Sequence, residues 1–222
     1  MRTFVLAVLF SSAALARSED RTVPSFNSVH VSAGMRATIE IGPQKPVHIE
    51  ADEETLALIE TVVEDGTLKI GFKRHTSWTG DHSVRISIQT PQLHSVSGSG
   101  GSIIKAALTR SDTSGIQASG GSEISVREVD AASVSVQASG GSIVRMSGSS
   151  DALELQLSGG SQLHGRDFST RDADVQGSGG SQAELKATGK IRGGLSGGSQ
   201  LHATGGASTR VATSGGSEVY GD

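Results

Sequence analysis

Paired glycines are the most frequent residues in this chain that could bind a ligand through the backbone. The tetrapeptide Ser-Gly-Gly-Ser occurs seven times, and successive glycine amides can form a nest that holds an anion such as phosphate. No copy is followed by the Gly-Lys-Ser/Thr of a phosphate-binding loop, and no flanking pattern indicates that a helix begins there. The glycine pairs are therefore predicted to be tight corners. The copies begin at Ser99, Ser119, Ser139, Ser158, Ser178, Ser196 and Ser214.

The same repeats argue against three enzyme or metal chemistries. A serine hydrolase elbow needs Gly-x-Ser-x-Gly, and Gly98-Ser99-Gly100 has the wrong spacing. Calcium-binding β-rolls carry Asp inside a Gly-rich repeat, whereas Ser stands here. The chain has no Cys, which excludes disulfides, zinc thiolates and a Cys nucleophile. We therefore predict no catalytic, cofactor-binding or metal-binding residue.

Two histidines and an acidic cluster favour structural over metal-binding roles. His164 and His202 take the same position in repeats that lie two apart, which places them ~9.6 Å apart at the usual strand spacing. That distance is too long for one zinc ion with bonds of ~2 Å, so both are predicted to be exposed. Asp52, Glu53 and Glu54 are predicted to complement the N-terminus of a short helix.

One mixed-charge segment allows a second interpretation. Asp167, Asp172 and Asp174 lie close in sequence to Arg166 and Arg171. Polysaccharide lyases built on β-helices use acidic residues, calcium and arginine on such segments, so a carbohydrate-active enzyme is an alternative. A solvated loop is the favoured interpretation. The two differ in whether charged side chains from adjacent coils converge in one cleft.

Other polar and aromatic residues leave two questions open. Gln117, Gln137, Gln156 and Gln176 recur at one position of four consecutive repeats. They are predicted to form a hydrogen-bonded ladder that stiffens a sheet, with a recognition surface as the alternative. Trp78 is the only Trp, and it is predicted either to anchor a ligand or to pack on the end of the fold.

The elements that would position these residues follow from the repeat, whose period is 18–20 residues. The position three residues before each tetrapeptide is mostly apolar, and so are the second and fourth positions after it. Apolar residues at every second position are expected for strands with one buried face. Each repeat is thus predicted to be a strand, a Gly-Gly corner, a strand and a looser return such as Arg127–Ala132 or Ser147–Asp151. About seven stacked coils would give a column of ~34 Å around a narrow apolar interior.

The first half of the chain has a different amino-acid composition. All four Pro precede residue 92, and 25 of the 30 Gly lie from residue 97 onward. Alternating patterns predict strands around residues 29–31, 37–41, 47–51, 68–72 and 84–88. A short helix is predicted after Asp52, a hairpin at Asp65-Gly66, and a polar loop over Lys73–Ser83.

The N-terminal segment has the pattern of an export signal. Arg2 precedes an apolar stretch over residues 4–15, and Ala14-Leu15-Ala16 matches the small-x-small site of signal peptidase. Residues 1–16 are therefore predicted to be a cleaved signal peptide. No later stretch is apolar enough for a membrane helix, and the net charge of −4 argues against a nucleic-acid binder.

Several motifs, in this order, resemble the bacterial head GIN domain family, which is named for an autotransporter adhesin head and has no assigned activity. The resemblance covers about residues 22–222. It implies an exported, right-handed, parallel β-helix-like solenoid with a strand-rich N-terminal part, and it implies no catalytic residues. The matching segments are Phe26–Val31, Val62–Ile70, Val84–Ile88, Pro91–Leu93 and Ser97–Ser102.

We thus predict an all-β protein with a signal peptide at 1–16, a strand-rich part at 17–96 with one short helix, and a repeat solenoid at 97–222; the last two form one continuous domain. The predicted function is a non-enzymatic adhesion or interaction module of the bacterial envelope, in the periplasm or on the cell surface, without a cofactor. Its partner would be an envelope protein or glycan. The alternatives are a carbohydrate-active β-helix enzyme and an envelope assembly subunit, with self-association through the C-terminal coil.

Overall fold

The computed structural model describes residues 17–74 and 83–221. Strands make up 66% of the chain and helix 3%, which confirms the all-β prediction. Among these described residues, the one helix is α1 (Glu53–Leu58). The strands are β1 (Arg17–Arg21), β2 (Ser28–Val31), β3 (Arg36–Ile41), β4 (Val47–Ala51), β5 (Ile59–Glu64), β6 (Thr67–Phe72), β7 (Arg85–Thr90), β8 (Ser95–Gly98), β9 (Ile103–Ala107), β10 (Ser111–Ala118), β11 (Glu123–Ala138), β12 (Ile143–Leu157), β13 (Gln162–Gly177), β14 (Gln182–Leu195), β15 (Gln200–Thr204), β16 (Ser208–Thr213) and β17 (Glu218–Gly221).

Parallel strands stack into two walls of one column. The first wall holds the strand before each Gly-Gly corner, and the second wall holds the strand after it. Strands β11 to β14 contribute to both walls because each continues through the return. The first wall has the order β6-β2-β8-β10-β11-β12-β13-β14-β16. The second has the order β7-β3-β9-β11-β12-β13-β14-β15-β17.

The register matches the apolar columns that the repeat predicts. Side chains at paired positions point inward because alternate residues of a strand face opposite sides. Most of these residues are buried, and they join one continuous hydrophobic core. On the first wall the column contains Val96, Ile116, Val136, Leu155 and Val175. On the second it contains Ile104, Ile124, Val144, Leu163, Ala183 and Leu201.

The N-terminal strands belong to the same column, in an order that differs from their order in sequence. Strand β2 lies between β6 and β8, and β3 lies between β7 and β9. The coil formed by β2 and β3 is therefore second in space although it is first in sequence. Antiparallel strands close this end, with β5 on β6, β4 on β7 and β1 on β4.

The predicted helix and hairpin of this end are confirmed. Asp52 is the N-cap of α1, where its carboxylate accepts a hydrogen bond from the Thr55 amide at 2.8 Å. The hairpin between β5 and β6 turns at Asp65 and Gly66, which have φ angles of 49° and 72°. Both residues tolerate the positive φ that a two-residue hairpin needs.

Each Gly-Gly corner needs its two glycines for different reasons. Gly140 and Gly141 have φ angles of 65° and 75°, a region that L side chains disfavour. A Cβ atom on Gly140 would also lie 3.2 Å from the amide nitrogen of Gly120 in the next coil, whereas a Cβ on Gly141 would meet open space. The first glycine of each corner therefore permits both the turn and the close stacking of coils.

An eighth corner carries no tetrapeptide. Ala33 and Gly34 connect β2 to β3 with φ angles of 62° and 74°, close to those of the Gly-Gly corners. A Cβ on Gly100 would lie 3.3 Å from the Ala33 amide nitrogen, so this corner stacks directly on the first tetrapeptide. The sequence signal is only the glycine of Ser32-Ala33-Gly34, and we missed it because Ala replaces the first glycine.

Three details of the prediction are corrected. The solenoid has about six turns, whereas about seven were expected, because seven corners enclose only six complete repeats. The returns are largely strand, because residues such as Ala131 and Ser150 pair with each other across coils. Ile41 is 39% exposed instead of buried, because the pairing of β3 with β9 stops at Ile39.

Two predicted features lie outside the described residues. These are the signal peptide at 1–16 and the central part of the polar loop, residues 75–82, with Trp78. Among the residues that the structure does describe, no helix has the length and apolar character that a membrane span requires.

Candidate functional site

A groove of about 1060 Å³ runs along the first wall, parallel to the axis of the solenoid. We call it the axial groove. Its sides are two outward columns, the glutamines and the first serines of the tetrapeptides, two residues apart along each strand. The column between them, which includes Ala118, Ala138 and Leu157, points into the core. The depression between the outward columns follows from this alternation.

The two serines of each tetrapeptide have opposite roles. The second serine points inward: the Ser161 side chain is fully buried, and its hydroxyl has two acceptors for its single proton, the Ala138 and Ser158 carbonyls at 2.9 and 2.8 Å. It also accepts from the Ser158 amide at 3.1 Å, so the serine hydroxyl satisfies an amide of the corner. The other buried second serines are Ser102, Ser122, Ser142, Ser181 and Ser199.

The first serines point outward into the axial groove. Within the described part of the chain, the hydroxyl groups of six of them make no side-chain hydrogen bond, so they are available to a ligand. These six are Ser119, Ser139, Ser158, Ser178, Ser196 and Ser214.

The four glutamines stack in register from coil to coil, but they do not form the predicted amide ladder. The Gln156 amide donates to Glu154 at 2.9 Å, and the Gln176 amide donates to Asp174 at 3.3 Å. Each bond stays within one strand. In the described structure, no hydrogen bond joins two of these glutamine side chains, and Gln117 and Gln137 keep their side-chain amides free.

A neutral histidine forms one end of the axial groove. His30 Nδ1 lies 3.0 Å from Ser97 Oγ, and Ser99 Oγ lies 3.4 Å from its Nε2. Burial, together with the positive charge of Lys69, lowers the pKa of His30 below its usual value. The imidazole is therefore neutral at pH 7 and can donate from one nitrogen while it accepts at the other.

The axial groove contains no Asp, Glu, Lys or Arg among its 20 lining residues. Charged residues make up 19% of the chain, so about four would be expected on an average surface of this size. Three other surface depressions each contain five charged residues. The uncharged lining therefore distinguishes the axial groove from these three.

The second wall has the opposite character. Its outward column places Arg145, His164, Glu184 and His202 on successive coils. Glu184 therefore separates His164 from His202, which confirms that the two histidines are not neighbours. The Glu184 carboxylate accepts a hydrogen bond from Arg166 at 2.7 Å and lies 3.5 Å from His164 Nδ1. The Arg166 hydrogen bond is the main reason why the pKa of Glu184 is lowered.

The mixed-charge segment is divided between the two walls. Asp167 lines a depression on the second wall with Glu184. Asp172 and Asp174 lie on the first wall beside Lys190 and Arg192 of the next coil. The five charged residues of this segment therefore do not converge on one cleft.

A separate cleft of about 850 Å³ on the return side does gather charges from adjacent coils. Arg110 and Asp130 form an ion pair at 3.6 Å there. Asp112 and Asp151 take equivalent positions two coils apart, with Ala132 between them, which separates them by ~9.6 Å at the usual strand spacing. Sequence reasoning missed this cleft because most of its residues come from five returns that were predicted to be loops.

The other candidate residues have structural partners. Asp52 caps α1, and the Glu53 carboxylate pairs with Arg17 at 2.7 Å. The Tyr220 hydroxyl donates to Glu218 and the Tyr220 residue is 46% exposed. Over residues 17–74 and 83–221, no group of three His, Asp or Glu side chains is arranged to hold a metal ion.

Comparison with solved structures shows the same fold in other bacterial proteins. A "putative adhesin" from Bacteroides fragilis NCTC 9343 has a TM-score of 0.81 at 19% identity, over 94% of this chain and 96% of that one. A "putative lipid binding protein" from Parabacteroides distasonis ATCC 8503 has a TM-score of 0.70 at 15% identity, over 95% and 98%. A "putative adhesin" from Parabacteroides merdae ATCC 43184 has a TM-score of 0.69 at 13% identity, over 95% and 97%.

Comparison with curated proteins gives no match. Residues 25–207 match the family described as "Putative auto-transporter adhesin, head GIN domain". This match covers most of the chain and contains the strands of both walls from β2 to β15. The description places the family with adhesins, a class that acts at the cell envelope or surface. The protein belongs to this head GIN domain family.

Proposed function

We propose that this protein is a non-enzymatic adhesion module, exported to the bacterial envelope, that holds an extended ligand in the axial groove. The observation that carries the proposal is the groove itself, in which unengaged serine hydroxyls repeat at the spacing of the strands over six coils, with unengaged glutamine amides on two of them. The family description and the export-signal pattern of residues 1–16 support the location.

The geometry favours a ligand that lies parallel to the axis. In the middle of the column, every strand already pairs with the strands above and below it. Its backbone is therefore not available to add a further strand. Only side chains are presented, and they recur once per coil, so a polymer along the axis meets the same two columns several times. Such repeated weak contacts add up through multivalency.

Two matched double variants test the proposal. Gln117→Glu/Gln137→Glu places two charges on adjacent coils of the groove, and Gln182→Glu/Gln200→Glu does the same on the second wall. The measurement is the amount of each labelled protein, lacking residues 1–16, that binds to isolated bacterial envelopes. We expect the groove variant to lose at least tenfold in affinity and the second-wall variant to lose less than twofold. Equal binding by all three proteins would contradict the proposal.

The return-side cleft keeps the enzyme alternative testable. The strands that carry Asp112 and Asp151 are ~9.6 Å apart, a separation comparable with the ~6.5–9.5 Å between the carboxyl groups of inverting glycosidases. We expect no new reducing ends when the protein is incubated with envelope polysaccharides. Release of sugars that stops in an Asp112→Asn/Asp151→Asn variant would make the protein an enzyme.

Self-association is a second candidate, based on the last coil. Among the described residues, no strand pairs with the outer edges of β16 and β17, and such edges can accept another strand. A role as an envelope assembly subunit requires self-association. Light scattering should then show oligomers whose mass increases with protein concentration. A constant monomer mass would exclude it without affecting the adhesion proposal.

A further inference from the structure

We infer that the ligand of the axial groove is an uncharged, linear glycan. This inference rests on the proposed function, because it names the chemical class that the same groove accepts. It is derived from which interactions the lining residues can make and which they cannot.

The lining cannot neutralise a charged polymer. None of its 20 residues is a Lys, Arg, Asp or Glu, and His30 is neutral because its pKa is lowered. A polyanion such as a nucleic acid or a uronic acid polymer would be desolvated there without a counter-charge, at a high cost in free energy. The depression on the second wall that carries Arg127, Arg145 and Arg166 would attract such a polymer more strongly than the groove.

The lining also lacks the features that recognise lipids or peptides. Its outward columns are mainly serines and glutamines, while the residues between them, Ala118, Ala138, Leu157 and Leu195, are at least 96% buried and face the core. Acyl chains would therefore contact polar groups. An extended peptide is recognised by backbone pairing with a sheet edge, and the backbone of this wall is already paired with adjacent coils.

The available groups match the hydroxyls of a neutral sugar chain. The six free serine hydroxyls both donate and accept hydrogen bonds, and the Gln117 and Gln137 side chains offer amide donors and carbonyl acceptors. Gln156 and Gln176 donate to Glu154 and Asp174. The two halves of the groove therefore differ: free amides line the half near His30, and amides already engaged with carboxylates line the other half. This difference gives the bound chain a direction.

Selective destruction of envelope components tests the inference without knowledge of the sugar. Envelopes are treated with periodate, which cleaves vicinal diols of glycans, with proteinase K, or with chloroform–methanol, and binding of the labelled protein is then measured. We expect periodate to reduce binding at least tenfold and the other two treatments to change it less than twofold. Survival of binding after periodate, or its loss after proteolysis or delipidation, would overturn the inference.

The salt dependence provides an independent readout. Because an uncharged ligand forms no ion pairs, affinity should change less than twofold between 0.05 and 1 M NaCl, whereas binding of a polyanion weakens steeply with salt. Dextran, mannan and cello-oligosaccharides serve as uncharged competitors, and polygalacturonate serves as the charged one. We expect at least one uncharged competitor to displace the protein and polygalacturonate to have no effect.

The outcomes separate the two proposals. If the groove variant loses binding but the binding is salt-sensitive or survives periodate, the groove is the binding site and the glycan assignment is wrong. If the groove variant binds like the wild type, the proposed function itself fails.

Discussion

The two walls of the solenoid share the same coils, the same corners and the same core, yet they present opposite surfaces. The first wall offers an uncharged groove, and the second offers a column of ion pairs around Glu184. The difference lies entirely in alternate residues, because the intervening ones must face the core on both walls. The fold thus fixes where side chains are displayed, and the outward residues set the chemistry of each wall independently.

Loss of the shared core should damage both walls, and it is the largest effect we expect. Phe168 is 1% exposed and packs inside the return, opposite Gly148 of the adjacent coil. Phe168→Ala should lower the free energy of unfolding by about 3–5 kcal/mol, the usual cost of such a cavity. Chemical denaturation measures the loss. Phe168→Leu, which keeps most of the volume, should cost much less, and equal costs would contradict the packing described here.

The corner that joins the two walls gives the next largest effect. Gly159→Ala adds a methyl group 3.2 Å from the Gly140 amide nitrogen at a φ of 63°, whereas Gly160→Ala adds one to open space at a φ of 75°. Backbone strain of about 1–2 kcal/mol affects both, and only Gly159→Ala also pushes adjacent coils apart. We expect Gly159→Ala to be the less stable of the two in thermal denaturation. Equal melting temperatures would show that the coils can separate without cost.

Removing a charge from the second wall should change the stability slightly and leave envelope binding unchanged, unlike a change in the groove. Glu184→Gln breaks the contact with Arg166, and an exposed pair of this kind contributes about 0–1 kcal/mol. The pKa of Glu184 is lower in the folded state, so its contribution is complete above the unfolded pKa and disappears as the pH falls through the folded pKa. Wild type and variant should therefore differ slightly in stability at pH 7, and the difference should shrink as the pH falls through the folded pKa. Envelope binding should be unchanged at pH 7.

The smallest expected effect is a local pH dependence at the N-terminal strand. A hydrogen bond of 2.7 Å from His48 to Asp20 joins β4 to β1 and raises the pKa of His48. This contribution is complete below the unfolded pKa of ~6.5 and is lost as the pH rises through the folded pKa. Amides of β1 should exchange with deuterium faster at pH 8.5 than at pH 6, after correction for intrinsic rates. His48→Gln should abolish that difference while the amides of β12, in the middle of the column, stay protected.

The sequence predicted the parts of the molecule that the backbone constrains strictly. Positive φ angles require glycine at the corners, and a two-residue period marks the inward columns, so Gly140 and Leu155 could be placed correctly. The order in which the first coils stack could not be predicted. Each strand has the same alternation of apolar and polar residues whichever strand it pairs with. The returns were misassigned for a related reason: Ser150 and Thr170 resemble loop residues, but they form a strand by pairing with each other across coils.

The candidate site was only partly foreseen. The glutamine column was recognised, but two of its amides bond to carboxylates two residues earlier in the strand, and none bonds to another glutamine. The distinction between outward Ser158 and buried Ser161 depends on the side of the corner that each takes, which composition does not reveal. The absence of charged residues from the lining of the axial groove became visible only when these residues were brought together.

The most direct test of the central claim, that one neutral ligand lies along the axis of the first wall, is calorimetric titration with envelope glycan fractionated by chain length. The groove extends over eight rungs from His30 to Ala212, about 34 Å at the usual strand spacing. Affinity should increase with chain length until this span is filled and then remain constant, and Gln117→Glu/Gln137→Glu should lower the plateau affinity at least tenfold. An affinity that does not depend on chain length, or that Gln182→Glu/Gln200→Glu lowers equally, would contradict the account.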